Sequence, residues 1–370
     1  QVASSQNTAT LLQRLGENNT ARQEQVSSSG NDVYLDQAGS DNVANQVQHG
    51  MVSDNLAVLL QSGAENEASQ QQQEQAAANY MFLLQDGIGN SAEQIQEGPL
   101  SISNVAEITQ IGNENEALQD QSGFTESSVE NRASITQTGD KNRATQFQIR
   151  NSTGNEATIN QQGTGNGAVQ TQALFSSQNE AIIIQEGDNN AGGQSQVTAS
   201  NSYAIFEQRG SSNRASQSQQ RNAPNQASII QNGNNNSASQ GQFSWSSAPN
   251  QVSITQTGSN NSAEQSQASG LGGTEVSNVA IIIQDGTNNR GFQRQGQGFN
   301  RQFTDNSYLY LEQGPASSHN FSDQTQDGLD LSSVVRQSGQ LNIVESWQSG
   351  RGLSTVVEQS GTGNRVLVVQ

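Results

Sequence analysis

A single pattern, Asn-x-Ala-x-Ile-x-Gln-x-Gly-x-x-Asn-x-Ala-x-Gln-x-Gln, recurs along the chain from Asn7 to Gln370. One copy is Asn131, Ala133, Ile135, Gln137, Gly139, Asn142, Ala144, Gln146 and Gln148. Another is Asn225, Ala227, Ile229, Gln231, Gly233, Asn236, Ala238, Gln240 and Gln242. Fifteen copies can be indexed by their central glutamine, from Gln13 to Gln359, and the commonest spacing is 24 residues. A repeat of this length that runs through a whole chain points to a stacked architecture, in which each unit buries its apolar face against its neighbours. It leaves residues 1–6 as a short N-terminal segment and 7–370 as a single repeat domain. No stretch is left over for a separate catalytic domain.

Composition alone would suggest something else. Apolar residues make up 30% of the chain, charged residues 13%, and the mean hydropathy is −0.73. A Gln/Asn-rich chain this poor in apolar residues ordinarily reads as disordered and prone to β-aggregation. Disorder, however, does not require Gln, Gly and Asn to hold the same phase in fifteen copies. The register therefore argues for a fold.

Within a copy the constant positions are two residues apart: Asn179, Ala181, Ile183, Gln185, and then Asn190, Gly192, Gln194, Gln196. Period two places them on one face of a strand. Between the two strands stands Gln-x-Gly-x-x-Asn, where glycine supplies the positive φ that a sharp bend needs. The other connection, which leads to the next copy, varies more in length. Even the Gln/Ala-rich stretch Glu67 to Asn79 keeps the repeat frame and is expected to be strand and turn. The fold class is accordingly all-β: a β-solenoid of amyloid-like cross-β geometry, with two strands per coil and about fifteen stacked strand-turn-strand repeats.

The shared face should point inward. Ala and Ile, Leu or Val (Leu59, Leu83, Ile108, Ile135, Ile159, Ile183) would form apolar rows. A buried amide is costly unless it is paired. Stacked in register, each side-chain amide can donate to one neighbour and accept from the other. The expected core ladder includes Asn131, Ala133, Ile135, Gln137, Gly139, Asn142, Ala144, Gln146 and Gln148, with Asn225, Ile229, Gln231, Gly233, Asn236, Gln240 and Gln242. Charges fall at outward or bend positions, as at Glu180, Arg214 and Glu264. Several apolar residues should also face outward (Leu60, Leu84, Ile182, Ile184, Ile230, Ile281, Ile283), as a candidate stripe for lateral bundling.

A net charge of −19 and a pI near 4.3 exclude a nucleic-acid binder, which needs clustered Lys and Arg. No apolar run approaches the roughly 18 residues that insert into a membrane. The absence of cysteine removes disulfides and thiolate metal sites and suits an oxidising compartment. The chain opens on Gln1, as it would after removal of a leader or after trimming. His49 and His319, the only histidines, lie far apart in bends. No ligand cluster, cofactor motif or catalytic constellation accompanies them, so the expected protein is not an enzyme and takes no cofactor or metal.

The last three copies replace the opening Asn with Ser307, Leu331 and Leu353, and the final strand runs Val366, Leu367, Val368, Val369, Gln370. An apolar strand without Pro or charge is a template for another chain. The expected docking ends are Asn7, Ala9, Leu11 and Gln13 at one side, and Val366, Val368 and Gln370 at the other.

The spacing of Gln137, Gly139, Asn142, Ala144 and Gln148 resembles the curlin repeat of bacterial curli subunits. The opening position, usually Ser in that family, is mostly Asn here. The resemblance implies a secreted functional amyloid that polymerises outside the cell into surface fibres of a biofilm matrix and mediates adhesion. As partners it implies further copies of the chain, a minor nucleator subunit and an outer-membrane secretion channel. The acidic balance is similar to that of the family's major subunit. The competing reading is a monomeric solenoid adhesin that presents its variable bends to a surface or host ligand.

Overall fold

A computed structural model of the chain describes residues 6–14, 16–26, 29–98, 100–123, 127–221, 224–244, 249–269, 277–296 and 307–370. All regular structure among them is β. The chain divides into two compact units, Gln1–Asp188 and Asn189–Gln370. Each is a parallel β-solenoid whose coil contributes one strand to each of two sheets, as the period-two pattern implies.

In the first unit, one sheet runs from Thr8–Arg14 through successive coils to Glu180–Asp188, and the other from Thr20–Val26 to Gly167–Ala173. In the second unit the corresponding sheets run from Tyr203–Ser211 to Ser354–Gln359 and from Ala191–Val197 to Arg365–Val369. Strands within a sheet pair with their counterparts in neighbouring coils at equal register, save for a shift where Val279–Thr287 meets Tyr308–Ser318. Arg132–Asp140 lies on Glu156–Thr164 with Ala133 opposite Ala157, Ile135 opposite Ile159, Gln137 opposite Gln161 and Gly139 opposite Gly163. Glu67–Glu74 is a strand in the same frame. Parallel pairing is forced by the connectivity, because each strand meets its successor only after a full coil.

The core is narrow. Leu59, Leu83, Ile108, Ile135, Ile159 and Ile183 are fully buried, with an alanine buried beside each of most of them. In two places where a copy departs from Ala or Ile, the opposing strand compensates. Phe206 stands at an Ile position, and Gly192 stands at an Ala position facing it. A Cβ on Gly192 would overlap the Phe206 ring. Leu311 and Gly291 form a second pair of the same kind. A close-packed interior conserves total volume in this way.

The expectation of two strands per coil omits one feature. In the first unit the linking connection adds a third, short parallel strip. Ser101–Ile102, Ser128–Val129 and Ser152–Thr153 form a small sheet, extended by single bridges from Ser29 to Ser53, Ala77 and Ile102 and from Thr153 to Ser177. Inside it lies a row of small buried residues: Val52, Ala76, Ser101, Ser128, Ser152 and Ser176. The linking bend is thus also a stacked element, despite its variable length.

Candidate functional site: the stacked amide interface

The surface that recurs most often in this molecule is the one between successive coils, and its chemistry is amide chemistry. Gln137 shows the arrangement. Its Nε2 donates to Gln161 Oε1 of the next coil at 2.9 Å, and its Oε1 accepts from Gln110 of the preceding coil at 2.9 Å. The second Nε2 hydrogen donates to the Glu116 carbonyl at 3.0 Å. Gln146 and Gln148 repeat the scheme, donating to Gln170 and Gln172 along the stack and to the Ser134 and Arg132 carbonyls of the opposite strand. Each glutamine therefore both stacks and ties one sheet to the other. In the second unit Gln231, Gln240 and Gln242 do the same, with Gln256, Gln265 and Gln267 as stacking partners and the Arg214 and Ser228 carbonyls and the linking-bend carbonyl of Asn250 as the other acceptors.

Pairing of the buried side-chain amides is what makes burial of so many glutamines tolerable. An unmade hydrogen bond in a buried site costs roughly 1–3 kcal/mol. Among the described residues the buried side-chain atoms without a partner are Asn225 Nδ2, Ser322 Oγ and Asp327 Oδ1.

The asparagine rows differ from the side-chain-to-side-chain ladder expected of them. Asn142 receives two bonds on its Oδ1, from the backbone N–H and from the Nδ2 of Asn166 in the next coil, both at 3.1 Å. Its own Nδ2 donates to Asn115 Oδ1 at 3.1 Å and to the Gly163 carbonyl at 2.9 Å. Asn131 likewise accepts from the Asn155 backbone N–H at 3.0 Å and donates to the Ser152 carbonyl at 2.9 Å. Asn236 accepts from the Asn261 N–H and donates to the Gly258 carbonyl. Asparagine, one methylene shorter than glutamine, satisfies the bend backbone as well as its own kind. Along the stack the glutamine amides donate forward in the chain, and the asparagine amides both forward and backward.

Most of these asparagines follow a residue in the left-handed region, as Asn131 follows Glu130 (φ 55) and Asn142 follows Lys141 (φ 58). Many residue types occupy this position, so the sequence carried no signal for it beyond its place before Asn.

Gly139 and Gly233, expected within the ladder, contribute backbone alone. Their φ values are 108° and 122°. A Cβ on Gly139 would lie under 3.0 Å from the Gly163 carbonyl oxygen, and one on Gly233 equally close to that of Gly258. Ala133, Ile135, Ala144 and Ile229 are buried, with an exposure of 2% or less. The outward apolar residues Leu60, Leu84, Ile182, Ile184, Ile230, Ile281 and Ile283 are half-buried on the outer faces.

Of the residues expected at the ends, Asn7 accepts from the Asn31 N–H at 3.0 Å and Gln13 donates to Gln37 at 3.0 Å. Ala9 and Leu11 are exposed. Val366 and Val368 are half-buried, and Gln370 accepts from Gln348 at 2.9 Å.

Outer charges stack in opposite pairs across neighbouring coils: Arg14 with Asp36, Arg132 with Glu107, Arg336 with both Glu312 and Glu358. One group of like charges breaks this order. Burial is the main cause that pushes the Asp120 carboxyl above the ordinary carboxylate range; Glu93 adds to the shift and bonds from Ser122 oppose it. Glu97 is raised by burial and by the nearby Asp120 and Glu74. Among the described residues no three His, Asp or Glu side chains are placed to hold a metal ion. No helix is long and apolar enough to cross a membrane.

Compared with known proteins, residues 130–163 match the family model of the curlin associated repeat. The match takes in the copy that begins at Asn131 and the first strand of the next. No curated protein matches the chain.

Proposed function

We propose that this chain, which carries a curlin associated repeat at residues 130–163, is a structural subunit of secreted, curli-like amyloid fibres that build a biofilm matrix and mediate adhesion. The observation that supports this reading most is the sameness of the coil-to-coil interface. One side of a coil offers glutamine Nε2 donors and backbone groups, the other offers matching acceptors, and the two sides differ. An interface of this head-to-tail kind does not close on itself, so it propagates. A coil of a second molecule meets the same ladder of amides and the same glycine backbone as a coil of the first. Elongation is then templated strand addition, in which the incoming chain folds onto paired amides and strands already in place.

Under this reading the registering residues are those of the first and last copies: Asn7, Ala9, Leu11 and Gln13, and Val366, Val368 and Gln370. The partners are further copies of the chain, with a nucleating minor subunit and an outer-membrane channel for export to the cell surface. The proposed role is structural, not enzymatic, and calls for no cofactor. The test is fibre formation by the purified chain. The expected result is fibres that bind thioflavin and give a cross-β reflection near about 4.8 Å. A chain that stays monomeric at high concentration would overturn the proposal in favour of a solenoid adhesin.

A further inference from the structure

Two places on the outer face of the first sheet break its otherwise mixed character. In the first unit, neighbouring strands Leu56–Ala64 and Tyr80–Ile88 place Leu56 opposite Tyr80, Val58 opposite Phe82 and Leu60 opposite Leu84. All six side chains point outward and are half-buried or exposed. They make an apolar ridge two strands wide, about 10 Å at the ordinary strand spacing. In the second unit, the neighbouring strands Gln226–Asn234 and Gln251–Ser259 place Ser228 opposite Ser253 and Gln226 opposite Gln251. Bulky residues bound them on both sides: Tyr203 and Ile205 in the preceding strand, Val279 and Ile281 in the following one. The result is a notch of about 260 Å³ with an apolar rim and a floor of small and neutral polar groups. It too is two strands wide.

The charge distribution narrows what can lie against each. Residues 1–188 carry 23 Asp and Glu against 6 Lys and Arg, a net −17; residues 189–370 carry 11 against 9, a net −2. Two first units laid side by side would bring together strong like charges. Two second units would not, but they would set notch on notch and leave the ridge in water. A first unit against a second unit avoids most of the repulsion and covers the ridge. Three of the charges beside the two features are paired within the chain, Asp36 with Arg14, Glu107 with Arg132 and Glu207 with Arg209, which leaves Asp32, in register with Leu56, at the edge of the ridge. A partner surface over the ridge itself can be mostly uncharged.

We propose that the ridge Leu56–Leu84 of one copy seats in the notch over Ser228 and Ser253 of a second copy, as the lateral contact between molecules. The contact is separate from end-to-end stacking. It is heterologous, so each molecule has one ridge and one notch free to engage different neighbours.

Because the chain has no cysteine, disulfide trapping reads the contact directly. Phe82→Cys and Ser253→Cys are outward substitutions, made in separate preparations, with Thr145→Cys on the other sheet as control. Folding of each is checked by circular dichroism before mild oxidation. In an equimolar mixture of the first two, the mixed disulfide should form roughly tenfold faster than either homodisulfide, because the contact raises the effective concentration of one thiol near the other. Adding Ser228→Arg to the Ser253→Cys chain, which fills the notch, should abolish that preference. Equal rates for mixed and like pairs, rates no higher than with the Thr145→Cys control, or no disulfide at all would each overturn the proposal. Electron microscopy of the same unoxidised preparations reports end-to-end fibres independently, so loss of the lateral contact and loss of fibre growth are distinguishable.

Discussion

Each coil turns twice, and the two turns are built on different chemistry. At Gly139–Lys141 the backbone lies against the backbone of the next coil, with the Gly163 carbonyl where a side chain would have to go. At Gly154, in the linking turn, the nearest atom to an added Cβ is Gln178 Cγ at 3.8 Å. Both turns end on a left-handed residue just before an asparagine, Lys141 at φ 58° and Gly154 at φ 61°. Both are bonded to their neighbours in the stack, Gly165 N–H to Asp140 carbonyl and Gln178 N–H to Thr153 carbonyl, at 2.9 and 3.0 Å. What differs is space. Where main chain packs on main chain, an added residue has to be bulged out of the register, as opposite Gln284 and Gly286, where Gln313 and Ser317 pair with two extra residues between them. Where the chain bulges outward, residues can be added without disturbing the ladders. This is the physical reason that the glycine turn varies less in length than the linking turn.

The contrast fails if the two glycines tolerate a methyl group equally. Gly139→Ala is expected to cost roughly 4 kcal/mol, from a strained φ together with overpacking. Gly154→Ala should cost only about 1–2 kcal/mol, for the left-handed conformation alone. Denaturant midpoints of the two variants measure the difference. Next in size is Gln137→Leu, beside the glycine turn. It strands the Gln110 amide hydrogen, the Gln161 oxygen and the Glu116 carbonyl, a loss of roughly 2–4 kcal/mol. Ser152→Ala in the linking turn should lose about 1 kcal/mol, and equal losses would erase the distinction.

Between these two losses, Gly192→Ala is expected to lose about 1–3 kcal/mol by crowding Phe206. Phe206→Ile in the same chain should restore most of it, giving a coupling visible in a double-mutant cycle.

The linking side also carries the titration. Folding favours the neutral form of Asp120, because burial raises its carboxyl. The contribution is therefore present at acid pH and is lost as pH rises from the ordinary carboxylate value through the raised one. Asp120→Asn should melt higher than the parent at neutral pH, with the gain shrinking on acidification. A constant gain across that range would show that charge is not its cause. The least effect belongs to Arg143→Ala beside the glycine turn. Its pair with Glu116 is exposed, and the melting point should move by no more than about 1 kcal/mol allows.

Much of this was legible in the residues. The period-two spacing of Asn, Ala, Ile and Gln set strands, faces and buried rows, since only an inward face needs to repeat its residue type. Less legible was what each amide bonds to. The second hydrogen of Gln137 goes to the Glu116 carbonyl across the coil, and the Asn142 oxygen receives a backbone N–H as well as an amide. Both depend on distances between sheets that no linear pattern contains. The buried row Val52, Ala76, Ser101, Ser128, Ser152, Ser176 had a faint signal, small residues three positions before each opening Asn. It was easily lost among the serines of a variable connection. The non-glycine residues at positive φ had none, because a left-handed backbone imposed by stacking leaves the side chain free to vary.

By itself, then, the chain determined its period, its fold class and which residues face inward, because these follow from alternation and from the cost of burying an unpaired amide. Tertiary structure alone decided the rest. It set the direction of each amide row, the carbonyl that excludes a side chain at Gly139, and the volume exchange between Phe206 and Gly192. It also decided the meeting of side chains from neighbouring copies that makes a ridge at Phe82 and a notch at Ser253. These depend on which coil lies beside which, and only the stacked molecule brings those coils together.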